Sequence, residues 1–280
     1  MQKLRITTTE RVTGNTAFNS FLQALPTTFA DMGQEIHHGR NILKVIDIEN
    51  LGLGIKQVVV KRYRGLFWFQ KLDYTFFRKP KCRKAYDNTA ELRRRGFDAA
   101  EELAVVEVWN HGLFQYAFFV SEVARGKRLD ALVLELQAQG RTDMVDHLIQ
   151  QYAALVKGLH EHGILYWDMN CGNVMCSLDN NEDRWHFTLI DTNRVRFFEP
   201  DRVLDLDTVK GDLILVNDRL GVQPQFIEHY LRQRQMFTPE RLQSLLDFKA
   251  NHHKKKRALK RKMKHLNEKL KQLNEKLKRD

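Results

Sequence analysis

Only three cysteines, Cys82, Cys171 and Cys176, occur among 280 residues. The one close pair is spaced C-x4-C without a second pair, which excludes both a disulfide framework and a zinc pattern, so the thiols are expected to be reduced and not catalytic. No apolar run approaches the ~18–20 residues that a membrane-spanning helix needs. The opening MQKLRITTTE lacks the apolar segment of a secretory signal, and a cytoplasmic location is expected.

Charge is plentiful but unevenly placed. The chain holds 46 Lys or Arg against 35 Asp or Glu, a net +11 with a pI near 9.5, which invites a nucleic-acid or membrane-surface partner. Residues 249–280 alone hold 14 basic and 3 acidic side chains, so the whole excess lies there and the first 248 residues are balanced. That balanced body is of ordinary composition, and the chain as a whole is 42% hydrophobic and 10% aromatic, enough for one large domain or two lobes with real cores.

Residues 35–48 (EIHHGRNILKVIDI) and 55–63 (IKQVVVKRY) have strand character, with Gly52 and Gly54 suiting a hairpin between them. Residues 79–95 suit a helix closed by Gly96. Strand character returns at 103–108 and 115–120. From residue 129 helices dominate, notably 145–159 (VDHLIQQYAALVKGL), and a small hairpin follows at 174–190. The expected class is α+β: a β-rich lobe over 1–120, a mainly helical lobe over 121–248, and a basic helical tail over 249–280.

The most informative stretch is LHEHGILYWDMNCGNVM, residues 159–175, in which Asp168 is followed five positions later by Asn173. Asp191 then ends an aliphatic run in LIDTNR. Lys61 closes the β-branched run VVVK. Each piece alone is weak, since a lone loop Asp is usually a turn residue and a strand Lys is usually solvated. In this order they suit phosphoryl transfer: a lysine on the α- and β-phosphates, one carboxylate orienting the acceptor hydroxyl, an amide oxygen and a second carboxylate holding magnesium.

Through GRN, VVVKRYR, FFRKPKCRKAYDNTAEL, LHEHGILYWDMNCGN and LIDTNRVRF, from about Gly39 to Arg196, the chain resembles the protein-kinase-like superfamily, and within it the bacterial lipopolysaccharide kinases that phosphorylate Kdo or heptose. The resemblance implies a bilobal kinase fold, Asp168 as catalytic base, Asn173 and Asp191 as ligands of Mg2+, Lys61 as the phosphate lysine, and ATP between the lobes against the backbone near Ser121, Glu122 and Val123. Asp87 and Glu91, one helical turn apart, are both candidates for the lysine's partner; the distance back from Gly96 favours Asp87. There are departures from the pattern. Tyr166 stands where protein kinases usually carry His, Asp191-Thr192-Asn193 replaces Asp-Phe-Gly, and no G-x-G-x-x-G precedes Lys61.

Between residues 61 and 95, 12 basic side chains face 3 acidic ones, interleaved with Tyr63, Phe67, Trp68, Phe69, Tyr74, Phe76 and Phe77. This pattern suits either a headgroup interface or a lobe core with solvated lysines. In the tail, Leu259, Met263, Leu266, Leu270, Leu273 and Leu277 follow heptad-like spacing. It is open to coiled-coil self-association through 257–279, to an anionic membrane surface or to a solvated existence; no nucleic-acid recognition module accompanies the charge. The expected activity is an ATP-dependent kinase acting on a hydroxyl of Kdo or another inner-core sugar of Kdo-lipid A or core lipopolysaccharide, peripheral on the inner face of the bacterial inner membrane. A protein or small-molecule kinase on the same fold, and a pseudokinase adaptor using the basic tail, are the alternatives.

Overall fold

The computed structural model describes residues 2–63, 68–179, 183–216 and 220–252, with 254, 261 and 268 besides. The 257–279 heptad segment lies outside the described residues, those last two positions excepted.

Six antiparallel strands organise the N-terminal lobe: β1 (Gln2–Thr8), β2 (Gln34–His38), β3 (Ile42–Asp47), β4 (Gln57–Tyr63), β5 (Glu102–Asn110) and β6 (Leu113–Glu122). Their order is β1-β5-β6-β4-β3-β2. The continuous run expected over 35–48 is in fact a hairpin, β2 turning into β3 at the GRN tripeptide, where Gly39 N–H donates to the Asn41 carbonyl at 3.1 Å.

Strand β5 is buried on both faces. Its alternation sends Val106 and Val108 toward helix α1 (Thr16–Thr28) and Val105 and Trp109 toward helix α3 (Lys81–Arg94). Helix α1 lies in the lobe expected to be β-rich, ahead of the first segment given strand character. Its signals are local nonetheless: Asn15 caps it by accepting from Phe18 N at 2.8 Å, and Phe18, Phe21, Leu22 and Leu25 recur at helical spacing against the sheet. A short helix α2 (Trp68–Phe76) precedes α3.

The C-terminal lobe comprises α4 (Leu129–Ala138), α5 (Thr142–Glu161), α6 (Leu206–Leu213), α7 (Gln223–Gln233) and α8 over 239–252. Helix α5 is its spine, burying Leu148, Ile149, Tyr152, Val156 and Leu159 at i, i+3 and i+4 spacings against a core shared with Phe226 and Leu231 of α7. Two small antiparallel sheets complete it. One joins β7 (Lys127–Arg128), β9 (Val174–Asp179) and β10 (Arg184–Leu189); the other pairs β8 (Ile164–Leu165) with β11 (Arg196–Phe197).

Helix α8 runs without a break across positions 248 and 249. Buried Lys249 donates to the Val216 carbonyl at 3.0 Å and to the Gln223 side-chain oxygen, so this lysine is packed on the lobe although its charge groups it with the tail. No helix among the described residues is long and apolar enough to cross a membrane.

The lobes are joined by more than the connection after β6. Asn88 Nδ2 donates to the carbonyls of Thr192 at 2.8 Å and Val195 at 3.2 Å, while the buried Thr192 hydroxyl lies 2.8 Å from that of Thr89 and 3.0 Å from the Ala85 carbonyl. A hydroxyl cluster thus docks α3 on the segment after Asp191, in the position where an Asp-Phe-Gly sequence would place an aromatic ring.

Candidate active site

Alternation along β4 sends Val58 and Val60 into the α1 side of the sheet and Lys61 and Tyr63 nearer the cleft. Lys61 is only 8% exposed, and its Nζ lies 2.8 Å from Asp191 Oδ1 in the other lobe. Asp191 sits at φ 61°, ψ 51°, left-handed for a non-glycine residue, and its Oδ1 also accepts from Asn193 Nδ2. Strain of this kind persists where surrounding contacts over-determine it, and it concentrates at functional positions.

Asp168 occupies the loop that follows β8. Asn173 Nδ2 donates to its carbonyl at 2.9 Å, which folds the five-residue segment back so that both side chains belong to one turn. Burial pushes the Asp168 carboxyl above its ordinary range; Arg194, whose Nη1 is 3.6 Å from Oδ2, opposes this, and the Asp191 and Asp212 charges add to it. Tyr166 is buried, and its hydroxyl donates to the Ile190 carbonyl at 2.6 Å, tying this loop to the residue before Asp191. Burial raises the Tyr166 hydroxyl well above the usual phenol range, so it remains a donor. That hydrogen bond supports the loop from within the core.

Neither expected partner of Lys61 reaches it. Asp87 pairs with Lys79, and Glu91 accepts from Arg94 and Arg95, hydrogen bonds that hold its carboxyl down at about 2. The cause is helical phase: the face of α3 docked on the cleft carries Ala85, Asn88, Thr89 and Leu92, and at about 3.6 residues per turn Asp87 falls on the far side and Glu91 on a flank. Lys81, on the docked face, feels the charges of Arg40, Arg194 and Lys61; burial and then those cations lower its pKa, against the pull of Asp191. The cleft is therefore rich in positive charge around Asp168 and Asp191, as a site for phosphate groups must be.

The connection after β6 is partly committed. Glu122 donates its N–H to the Glu101 carbonyl at 2.8 Å and its carboxylate pairs with Arg11 at 2.8 Å, while the next residue, Val123, is exposed. The three cysteines are free and buried, and burial pushes the Cys82 thiol up to about 12 and Cys176 higher still, in keeping with inert thiols.

The donor set of Asn173 and Asp191 consists of an amide oxygen and a carboxylate, hard oxygens of the kind Mg2+ prefers. Among the described residues no cluster of three or more His, Cys, Asp or Glu side chains would hold a metal alone. That is compatible with Mg2+, which commonly takes one or two protein oxygens and completes its shell with substrate phosphates and water.

One residue of the site carried no recognisable sequence signal. Asp212, buried on α6, accepts the backbone N–H groups of Tyr166 and Trp167 at 2.7 Å each and lies 3.5 Å from His160 Nε2. It grips the Asp168 loop from behind, and holds Trp167 at φ 60° immediately before Asp168.

Comparison with curated proteins gives no match. Among solved structures, WaaP in complex with acyl carrier protein superposes over 90% of this chain and 98% of its own, with a TM-score of 0.56 at 15% identity. A MAP kinase from Leishmania major aligns over 64% of this chain and 51% of its own at 18% identity, with a TM-score of 0.37, too low to carry weight. A sequence model of the lipopolysaccharide kinase (Kdo/WaaP) family matches residues 35–210, a span that contains Lys61, Asp168, Asn173 and Asp191. With that match over more than half its length and a bilobal, protein-kinase-like fold shared with WaaP, the chain belongs to the lipopolysaccharide kinase (Kdo/WaaP) family, phosphotransferases that act on a sugar hydroxyl.

Proposed function

We propose that the protein transfers the γ-phosphoryl group of ATP to a hydroxyl of Kdo or another inner-core sugar of lipopolysaccharide. The observation that carries this reading is the Lys61–Asp191 bridge, which joins the lobes at 2.8 Å beside Asp168. Asp168 accepts a hydrogen bond from the acceptor hydroxyl and takes its proton as the oxygen attacks phosphorus and the bond to ADP breaks. Lys61 has three N–H donors, enough to serve Asp191 and phosphate oxygens together. Asn173 and Asp191 would hold Mg2+, which when bound supplies neutralisation of phosphate charge. Backbone atoms around Val123 would line the adenine.

Incubation of the purified protein with Mg-ATP labelled at the γ-phosphate, and either Kdo-lipid A or a generic protein substrate, tests the reading. Label is expected on the lipid-linked sugar; label on the protein alone, or on neither, would overturn it.

A membrane face belongs to the same proposal. The aromatic stretch from the end of β4 onward divides: Tyr63 and Tyr74 pack beneath the sheet, whereas Trp68, Phe76 and Phe77 are 74%, 67% and 83% exposed, the last two directly before Arg78 and Lys79. Rings at a headgroup boundary with adjacent cations suit an anionic leaflet. The double variant Phe76→Ser with Phe77→Ser is expected to lose sedimentation with vesicles containing phosphatidylglycerol while keeping phosphorylation of a soluble acceptor. Undiminished sedimentation would remove α2 from the membrane face.

A further inference from the structure

We infer that Trp167, Arg194 and Arg196 form the subsite that receives the acceptor, and that its ligand is a sugar acid whose ring lies on the indole and whose carboxylate is taken by guanidinium. The inference rests on the sugar-kinase reading and specifies its substrate class.

Trp167 is the residue directly before Asp168. It is 47% exposed although Tyr166 and Met169 beside it are fully buried. Its backbone is held at φ 60°, a region that bulky residues avoid, with its N–H clamped on Asp212. The loop therefore keeps an indole at the surface in a backbone conformation that disfavours it, against the ordinary tendency of a Trp to be covered. A large flat apolar face beside the base is of use to a substrate that has both C–H faces and hydroxyls, as a pyranose does.

The two arginines give that surface a charge preference. Pairing of β11 with β8 sets Arg196 opposite Leu165, and its guanidinium carbon stands 4.9 Å from the Trp167 ring centroid. Among the described residues no carboxylate pairs with Arg196. Arg194, on the 3-10 turn Thr192–Arg194, reaches to 3.6 Å from Asp168. Planar guanidinium groups match a carboxylate bidentately; Arg194 already faces Asp168, but a neutral sugar would leave the charge of Arg196 without an anionic partner. Nucleotide phosphates are served separately, by the Lys61 and Asp191 side of the cleft.

Steady-state kinetics of the full-length protein with Kdo and with its methyl ester, alongside fluorescence titration of Trp167 with Kdo, test the subsite. The wild type should prefer the free acid. Trp167→Ala should raise the acceptor KM on the order of tenfold, the scale expected for a lost aromatic face, with the ATP KM nearly unchanged and Trp167→Phe recovering most of the loss. Arg196→Gln should raise KM for the acid but not for the ester. Quenching by Kdo should be present in the wild type and absent in Trp167→Phe. An unchanged acceptor KM in Trp167→Ala, or undiminished preference for the acid in Arg196→Gln, overturns the subsite while sugar phosphorylation by the wild type still upholds the activity. Quenching of Trp167 without any phosphorylation of sugar overturns the activity and keeps the subsite; neither signal overturns both.

Discussion

Asp168→Asn is expected to lower turnover by about 10²- to 10⁴-fold, the usual worth of a positioned general base. The amide keeps the shape of the carboxylate and can still accept the acceptor's hydrogen bond, but it cannot take the proton. Mg-ATP affinity, followed as a thermal shift, should stay near the wild-type value, because Lys61, Asn173 and Asp191 are untouched. Turnover equal to wild type would show that Asp168 is not the base.

The same residue has a pH signature. Burial disfavours its ionised form, so its pKa is raised, and a base is competent only when deprotonated. Activity must therefore fall on acidification through a pKa above the ~3.9 of a free Asp. Arg194 holds that pKa down, so Arg194→Gln should move the acid limb of kcat/KM to higher pH. An acid limb that does not move would separate Arg194 from the base.

The second large effect is expected at Asp212, which touches no reacting group. Replacing it by Ala leaves two backbone donors without their acceptor, the buried Tyr166 N–H and the partly buried Trp167 N–H. At about 1–3 kcal/mol for each orphaned donor, the loss is a large share of the ~5–15 kcal/mol that holds a domain together. A fall in Tm on the order of 10 °C is expected at the ~2–4 °C per kcal/mol of a chain this long. Turnover should fall as well, since the loop conformation that presents Asp168 is no longer held. Asp212→Asn, with one acceptor oxygen left, should lie between. Thermal unfolding and kcat of the soluble fraction measure both, and an Ala variant melting within about 2 °C of wild type would mean that the clamp contributes little.

These two predictions differ in how far they were visible in the sequence. Asp168, Asn173 and Asp191 are adjacent to short motifs, and their separation along the chain is bounded by one loop and one hairpin, so spacing alone suggests a common site. Asp212 lies on a helix of unremarkable sequence, LDTVKGDL, 46 residues beyond Tyr166. Nothing in that helix announces that one of its carboxylates turns inward while Asp207 faces solvent. The partner of Lys61 failed for a related reason. Counting back from Gly96 measures distance along α3 but not rotation about its axis, and that rotation is set by Ala85, Thr89 and Leu92 seating against Thr192 and the core. The hairpin at Gly39 and helix α1 had legible signals, a turn tripeptide and an Asn cap, that strand-like composition obscured.

The sequence by itself determined the order of the chemical groups, the lobe in which each belongs and the concentration of surplus charge after residue 248, because these depend on neighbours within a few turns or strands. Only the tertiary structure decided that Lys61 meets Asp191 across 130 residues, that Asp87 and Glu91 face away, that Asp212 grips the loop, that Trp167 stands exposed beside the base and that Lys249 is buried. Each of those outcomes depends on how two separately folded surfaces seat on one another, and local propensity carries no information about which faces will meet.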